Sequence, residues 1–167
     1  METPELVMTR RELVRKLHGI FKSKKLTLSL AESCTAGFIS SLIVQVPGAS
    51  DFFDSAIVCY SPISKEKLLG VKKSILKRYG TVSEQTAKAM AESVRLKAKT
   101  DFALSITGNL GPKPIEDKKT GLVFIAVSFA GGIESKGMIF EGSRDEIKLS
   151  ASVAALEFLY GVVSVCG

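Results

Sequence analysis

Short apolar runs and helical periodicities alternate along this chain, and the alternation predicts its elements. In residues 9–22, Leu13, Leu17, Ile20 and Phe21 recur at the steps that gather them near one face of a helix. Residues 27–32 read as a first strand. Residues 35–46 read as a second helix, closed by the Pro/Gly punctuation Val46-Pro47-Gly48-Ala49-Ser50. Residues 53–60 predict a second strand, and residues 64–69 and 72–78 two short helices separated at Gly70. The longest clear helix opens at Thr81-Val82-Ser83-Glu84, with Ser83 placed to cap it ahead of Ala87, Met90, Ala91 and Val94. A third strand, 102–107, ends in Gly108-Asn109-Leu110-Gly111-Pro112. Residues 121–129 and 134–140, joined through Ala130-Gly131-Gly132-Ile133, make a hairpin. A closing helix runs from Ser143 to about Val163, with Ile147, Leu149, Val153, Leu156 and Leu159 as its apolar positions. This order predicts an α/β fold, a mixed five-stranded sheet sandwiched between helices.

Composition narrows the class. With 167 residues, 46% apolar and 24% charged, the chain is long enough for a proper core and has an ordinary globular balance. No single apolar run reaches the roughly 18–20 residues that span a bilayer. Glu2 and Glu5, followed by Arg10, Arg11, Arg15 and Lys16 among leucines, suit a basic amphipathic helix rather than a signal peptide. Cys34, Cys59 and Cys166 are odd in number and form no CxxC, and His18 is the lone histidine. That set predicts no metal site and a reducing, cytoplasmic setting. His18, in the first helix, reads as a surface or edge residue. The net charge of +6 comes from lysine clusters at probable helix ends with no aromatic platform among them. A small anionic ligand therefore fits better than nucleic acid, and no membrane partner is expected.

Two strands end in polar, small-residue turns, Ser33-Cys34-Thr35 and Thr107-Gly108-Asn109. In open α/β sheets ligands bind beyond the strand carboxyl ends, so parallel neighbours would bring these turns to one crevice. Ser33 has two readings. It is a helix N-cap, or a nucleophile beside free backbone N–H groups. The loop 113–120 is the most polar stretch and the one expected to be most mobile.

Ala31-Glu32-Ser33-Cys34-Thr35-Ala36-Gly37, Val46-Pro47-Gly48-Ala49-Ser50, Tyr60-Ser61, Leu68-Leu69-Gly70-Val71, Gly80-Thr81-Val82-Ser83-Glu84 and Thr107-Gly108 together carry a resemblance. In order and spacing the chain resembles the C-terminal domain family of the competence/damage-inducible protein CinA, over residues 9 to 163. The resemblance implies a three-layer α/β/α sandwich, a single amidase-like domain in stand-alone form, and no cofactor. It also implies hydrolysis of the carboxamide of nicotinamide mononucleotide to the nicotinate mononucleotide and ammonia, in pyridine-nucleotide recycling.

Amide hydrolysis by a covalent route needs a nucleophile, a base and an oxyanion site. With no histidine near the crevice motifs, a desolvated lysine is the natural base. The resemblance places Ser33 as nucleophile and Lys65 as the active-site lysine, with Lys67 as its nearest competitor and Tyr60 orienting the pair or relaying a proton. Backbone N–H groups of Cys34 and Thr35 are oxyanion candidates. The Cys34 thiol is a rival nucleophile or a small buried filler. Thr107, Gly108 and Arg144 match positions that contact the nucleotide, and Ser83 matches a family serine while also suiting an N-cap.

The chain departs from the family in two places. Ala36-Gly37 stands for two glycines, a mild change at negative φ and a strained one at positive φ. Leu110, Lys113, Pro114 and Ile115 replace a small residue and a glycine-rich continuation. The altered loop keeps a second expectation open, a non-catalytic nucleotide-binding or interaction module of the same fold. The apolar C-terminal segment and base rates favour a homodimer or higher homo-oligomer.

Overall fold

The computed structural model describes residues 8–167; Glu2 and Glu5 lie outside them. Helix α1 (Arg10–Lys24) starts with a capping box between Thr9 and Glu12 and stops at Lys25, which turns left-handed. Strand β1 (Leu28–Glu32) leads to α2 (Phe38–Val44), and β2 (Phe53–Val58) to a single turn, α3 (Pro62–Ser64). Helices α4 (Lys73–Tyr79) and α5 (Glu84–Ala98) precede β3 (Phe102–Gly108) and the hairpin β4 (Leu122–Phe129) and β5 (Gly132–Ile139). Helix α6 (Arg144–Cys166) closes the chain.

The five strands lie in the order β2-β1-β3-β4-β5. Strand β1 is parallel to both β2 and β3, while β3-β4 and β4-β5 are antiparallel. Alternation sorts the side chains. Leu28 and Leu30 of β1, Phe102, Leu104 and Ile106 of β3, and Val123, Ile125 and Val127 of β4 join the core beneath α1, α2 and α6. The other face carries Ala31, Ala103, Ser105 and Ala126, small residues that admit α5 closely through Met90, Ala87 and Ala91. Ser105 donates to the Ala87 carbonyl at 2.6 Å, so strand and helix touch almost backbone to backbone.

Three elements and one estimate of apolar length differ from the sequence pattern, each for a local reason. The second helix begins at Phe38, not Thr35, because residues 33–37 form a turn with Ala36 at φ +51° and Gly37 at φ +94°. Residues Lys65–Leu69 form a π-helical turn rather than an α-helix, closing at Gly70 with φ +75°. The hairpin loop is only Ala130-Gly131, since Phe129 already pairs with Gly132. Helix α6 has the length and apolarity to cross a membrane, which counting unbroken apolar runs misses because Glu157 interrupts them. Its buried residues, from Ile147 to Val163, cover the sheet.

His18 is buried, not at the surface. Its Nε2 donates to the Ile43 carbonyl at 2.9 Å, and its ring packs edge-on against Phe52. It braces α1 against the end of α2, on the side of the sheet away from Lys65.

Candidate functional site

The parallel neighbours β1 and β3 do end at one crevice, and Ser33 stands directly after β1. Its backbone N–H still donates to the Ile106 carbonyl at 3.1 Å, so the sheet fixes its position. Its hydroxyl is 2.7 Å from Nζ of Lys65. Both residues are buried, Lys65 at 1% exposure. The ammonium position of Lys65 also faces the Cys59 carbonyl at 2.9 Å and the Tyr60 carbonyl at 3.3 Å. No carboxylate is among these three partners. Burial accordingly pushes the Lys65 pKa below its ordinary value.

The partner count has a chemical meaning. A neutral amine has two N–H bonds and one lone pair. As an ammonium Lys65 donates to all three oxygens, Ser33 Oγ included; once neutral, with the two carbonyls taking its hydrogens, it has its lone pair left for the Ser33 hydroxyl proton. Lys67, the competing lysine, is exposed on the outer side of the π-helical turn.

Glu32, the last residue of β1, supports the turn that follows Ser33, and it was missed as a working residue in the sequence. One carboxylate oxygen accepts from the Thr35 hydroxyl at 2.7 Å, Gly37 N–H at 2.8 Å and Ile39 N–H at 3.2 Å. The other accepts from the N–H and hydroxyl of Ser40, both at 2.7 Å. Glu32 is thus the cap of α2, whose own cap position, Gly37, offers no side chain. The N-cap reading of Ser33 is overturned, since its hydroxyl faces Lys65 and the helix starts only at Phe38. The available signal was a carboxylate inside an apolar strand just ahead of a helix start. Among the described residues, the backbone N–H groups of Cys34 and Thr35 bond to no other residue. They remain open beside Ser33.

Cys34 is buried, and desolvation pushes its thiol up to about 12, which makes it a filler rather than a nucleophile. Tyr60 contributes to Lys65 through its carbonyl. Its hydroxyl, on a largely exposed ring, instead accepts from Arg144 at 2.8 Å. A second nitrogen of Arg144 donates to the Gly111 carbonyl at 2.6 Å. The first residue of α6 therefore bridges the β2 end and the β3-β4 loop across the crevice mouth.

Thr107 and Gly108 line the crevice as well. The Thr107 hydroxyl donates to the Thr81 carbonyl at 2.7 Å and ties β3 to the segment before α5. A Cβ on Gly108 would sit 2.7 Å from the Val123 side chain, so no larger residue fits there. Ser83 does not reach the crevice: it caps α5, accepting from Thr86 N–H and donating to the Gly80 carbonyl.

The space around Ser33 and Lys65 is small, about 80 Å³, walled by Leu110, Ile115 and Val82. A cavity of about 440 Å³ adjoins it through the shared residues Cys34, Tyr60, Leu110 and Arg144, and adds Lys148 and Ser41 to the wall. The 113–120 loop, expected to be mobile, is tethered. Glu116 accepts from the N–H and hydroxyl of Thr81 at 2.8 and 2.7 Å, and Lys118 donates to the carbonyls of Tyr79 and Val82. Burial works against the Glu116 carboxylate, but the Thr81 and Val82 donors and Lys118 hold its pKa below the usual range. Lys113 is exposed and lies outside both cavities.

A family model for the CinA C-terminal domain matches residues 10–163. The chain belongs to the CinA C-terminal domain family. A CinA-like protein of Geobacter metallireducens is 41% identical over 141 residues, 84% of this chain and 34% of that protein. A protein of Caldicellulosiruptor bescii, named for competence-damage inducibility, is 43% identical over 90% of this chain and 37% of its own length. This chain thus spans about a third of those relatives. The crystal structure of a CinA superfamily protein from Enterobacter cloacae superposes with a TM-score of 0.93 at 32% identity, covering 98% of this chain and 97% of that one. A competence or damage-inducible protein from Enterobacter asburiae gives 0.90 at 33% identity, covering 93% and 98%. The CinA fold, helices on both sides of a mixed five-stranded sheet, is therefore common to all three structures.

Proposed function

We propose that this CinA-family chain hydrolyses the carboxamide of nicotinamide mononucleotide, with Ser33 as nucleophile and Lys65 as base. The observation that carries the reading is the buried Ser33–Lys65 contact of 2.7 Å, with two carbonyls taking the other hydrogens of the amine. Neutral Lys65 takes the Ser33 proton as Oγ attacks the carboxamide carbon. The oxyanion forms toward the Cys34 and Thr35 N–H groups, which Glu32 positions through the turn. Protonated Lys65 then gives its proton to the leaving nitrogen, releasing ammonia and an ester on Ser33. Water, deprotonated by Lys65, attacks that ester, and the proton returns to Ser33 as the acid leaves.

The 80 Å³ space suits a carboxamide edge and little more, and the adjoining 440 Å³ cavity suits the sugar phosphate beside Arg144 and Lys148. Arg144 would exchange its bond to Gly111 or Tyr60 for the ligand's anion. Three free thiols accord with a reducing, cytoplasmic setting.

The test is ammonia release from nicotinamide mononucleotide by the purified chain, with Ser33→Ala as control. Turnover that survives this substitution overturns the mechanism. The tight wall at Leu110 and Ile115 favours one second reading, a module that binds the nucleotide without turnover. Calorimetry showing binding with no ammonia would select it.

A further inference from the structure

We infer that the open edge of the sheet is a self-complementary interface, in which β5 pairs antiparallel with β5 of a second copy about a two-fold axis at Ser135. Strand β5 has a neighbour on one side only. Its hydrogen-bonding parity is set by the hairpin. Phe129 and Gly132 flank the two-residue loop, and Phe140 N–H donates to the Gly121 carbonyl in the same register. Even-numbered residues of β5 thus spend their backbone groups on β4. By alternation Ile133, Ser135, Gly137 and Ile139 turn theirs to the open edge. The hydrogen-bonded pairs of an antiparallel self-pair therefore match odd with odd, and its axis passes either through an odd-numbered residue or through the even-numbered residue between two such pairs.

Charge selects which one. Glu134 and Lys136 flank Ser135 and form no ion pair within the chain among the described residues. Centring on Ser135 sets Glu134 of each copy opposite Lys136 of the other, twice over. These are non-hydrogen-bonded positions, where side chains come closest. Centring on Ile133 or Gly137 leaves both charges without opposites, and centring on Glu134 or Lys136 sets like charges directly opposite each other. Charges on an edge strand ordinarily keep other strands away. Here their antisymmetry about one residue accepts a copy of the same strand and disfavours a shifted register.

The surface behind the edge fits the same arrangement. Glu134, Lys136 and Met138 line a cavity of about 480 Å³ together with Phe158, Gly161 and Val165 of α6. Those helix residues, with Ala154, step by three and four along a single stripe facing the edge, and Val165 is 85% exposed. A two-fold at Ser135 brings the stripes of two α6 helices face to face over the extended sheet. Small residues at Ala154 and Gly161 let them approach, and the cavity is covered, its apolar floor together with the exposed Glu157 at its wall. The interface lies at the opposite edge of the sheet from β2 and leaves the crevice of Ser33 open.

Sedimentation velocity of the full chain at micromolar concentration tests this without reference to catalysis. The wild type should sediment as a dimer. Glu134→Lys alone and Lys136→Glu alone each create like-charge pairs, and each should weaken the dimer at least roughly tenfold. Mixing the two single variants should restore dimerisation, because each then meets its opposite. So should both substitutions in one chain. Ser135→Cys should give a disulfide-linked dimer under mild oxidation, since residues on the axis lie within disulfide reach. A monomeric wild type overturns the interface. So does a dimer indifferent to both single substitutions, or a mixture that fails to recover while circular dichroism shows each variant folded.

Discussion

Replacing Glu32 by Gln keeps the side chain's shape but turns one carboxylate oxygen into an N–H donor. If the amide nitrogen faces Ser40, it meets a backbone N–H that had been 2.7 Å from oxygen, while the Ser40 hydroxyl can rotate to accept. If it faces the other way, it meets two backbone N–H groups, those of Gly37 and Ile39. The first orientation is less costly and loses one hydrogen bond to a charged group. It also leaves one donor without an acceptor, a total of about 2 kcal/mol. Glu32→Ala strips all five bonds and should cost about 4 kcal/mol or more. For a domain of this size 2 kcal/mol corresponds to a fall in Tm of about 4–8 °C, measurable by circular dichroism and by urea titration. The turn after Ser33 should loosen too, so Ser33 labelling by a fluorophosphonate should slow by more than the unfolded fraction explains. A Gln variant within about 0.5 kcal/mol of wild type, labelled at the wild-type rate, refutes the assignment of Glu32 as the support of this turn.

Four other outcomes follow from the same geometry. Ser33 labelling should rise with pH through the depressed Lys65 pKa and level off before the ordinary lysine value of 10.5; Lys65→Met should abolish the rise. The unfolded chain holds this lysine's proton up to higher pH than the folded one, so stability should increase between the depressed pKa and 10.5. A pH-stability curve unchanged by Lys65→Met contradicts that. Leu110→Ala should cost about 2–3 kcal/mol in urea unfolding and lower the KM for the nucleotide by widening the wall; an unchanged KM refutes the wall's role. Iodoacetamide at pH 8 should alkylate exposed Cys166 alone, since burial raises the thiol pKa of Cys34 to about 12 and also raises that of Cys59; a second modified cysteine in the native protein contradicts their inert character.

The layers were legible because apolar spacing alone identifies which elements bury a face, and β1, β3, the hairpin and α5 all appear close to their predicted bounds. Ser33, Lys65, Thr107 and Gly108 converge because the topology puts β1 beside β3 and starts the π-helical turn at Lys65. Periodicity could not reveal that turn, since a π-turn and an α-turn share the same residue types over five positions. Nor could it distinguish the two serines. Ser83 and Ser33 both precede helices, but only the first has its hydroxyl turned back on the backbone. His18 was misplaced because its polarity suggested the surface, while its bond to the Ile43 carbonyl and its Phe52 contact satisfy it inside. The loop at Glu116 was read by composition, which registers polarity but not the partners that Thr81 and Tyr79 supply from 35 and 39 residues away.

The alanine-lined seat of α5 gives the wall of the crevice a remote lever. Ala87 and Ala91 meet Ala126 with no long side chain between them to absorb a change in volume. A methyl group added at Ala87 must therefore move the helix bodily. Thr81 and Val82 precede the same helix and are tied to Glu116 and Thr107, so that displacement travels into the wall facing Ser33. Substitutions far from the reacting atoms can thus tune the width of the site as a wedge adjusts a vice, and a screen for altered substrate size has reason to start beneath α5.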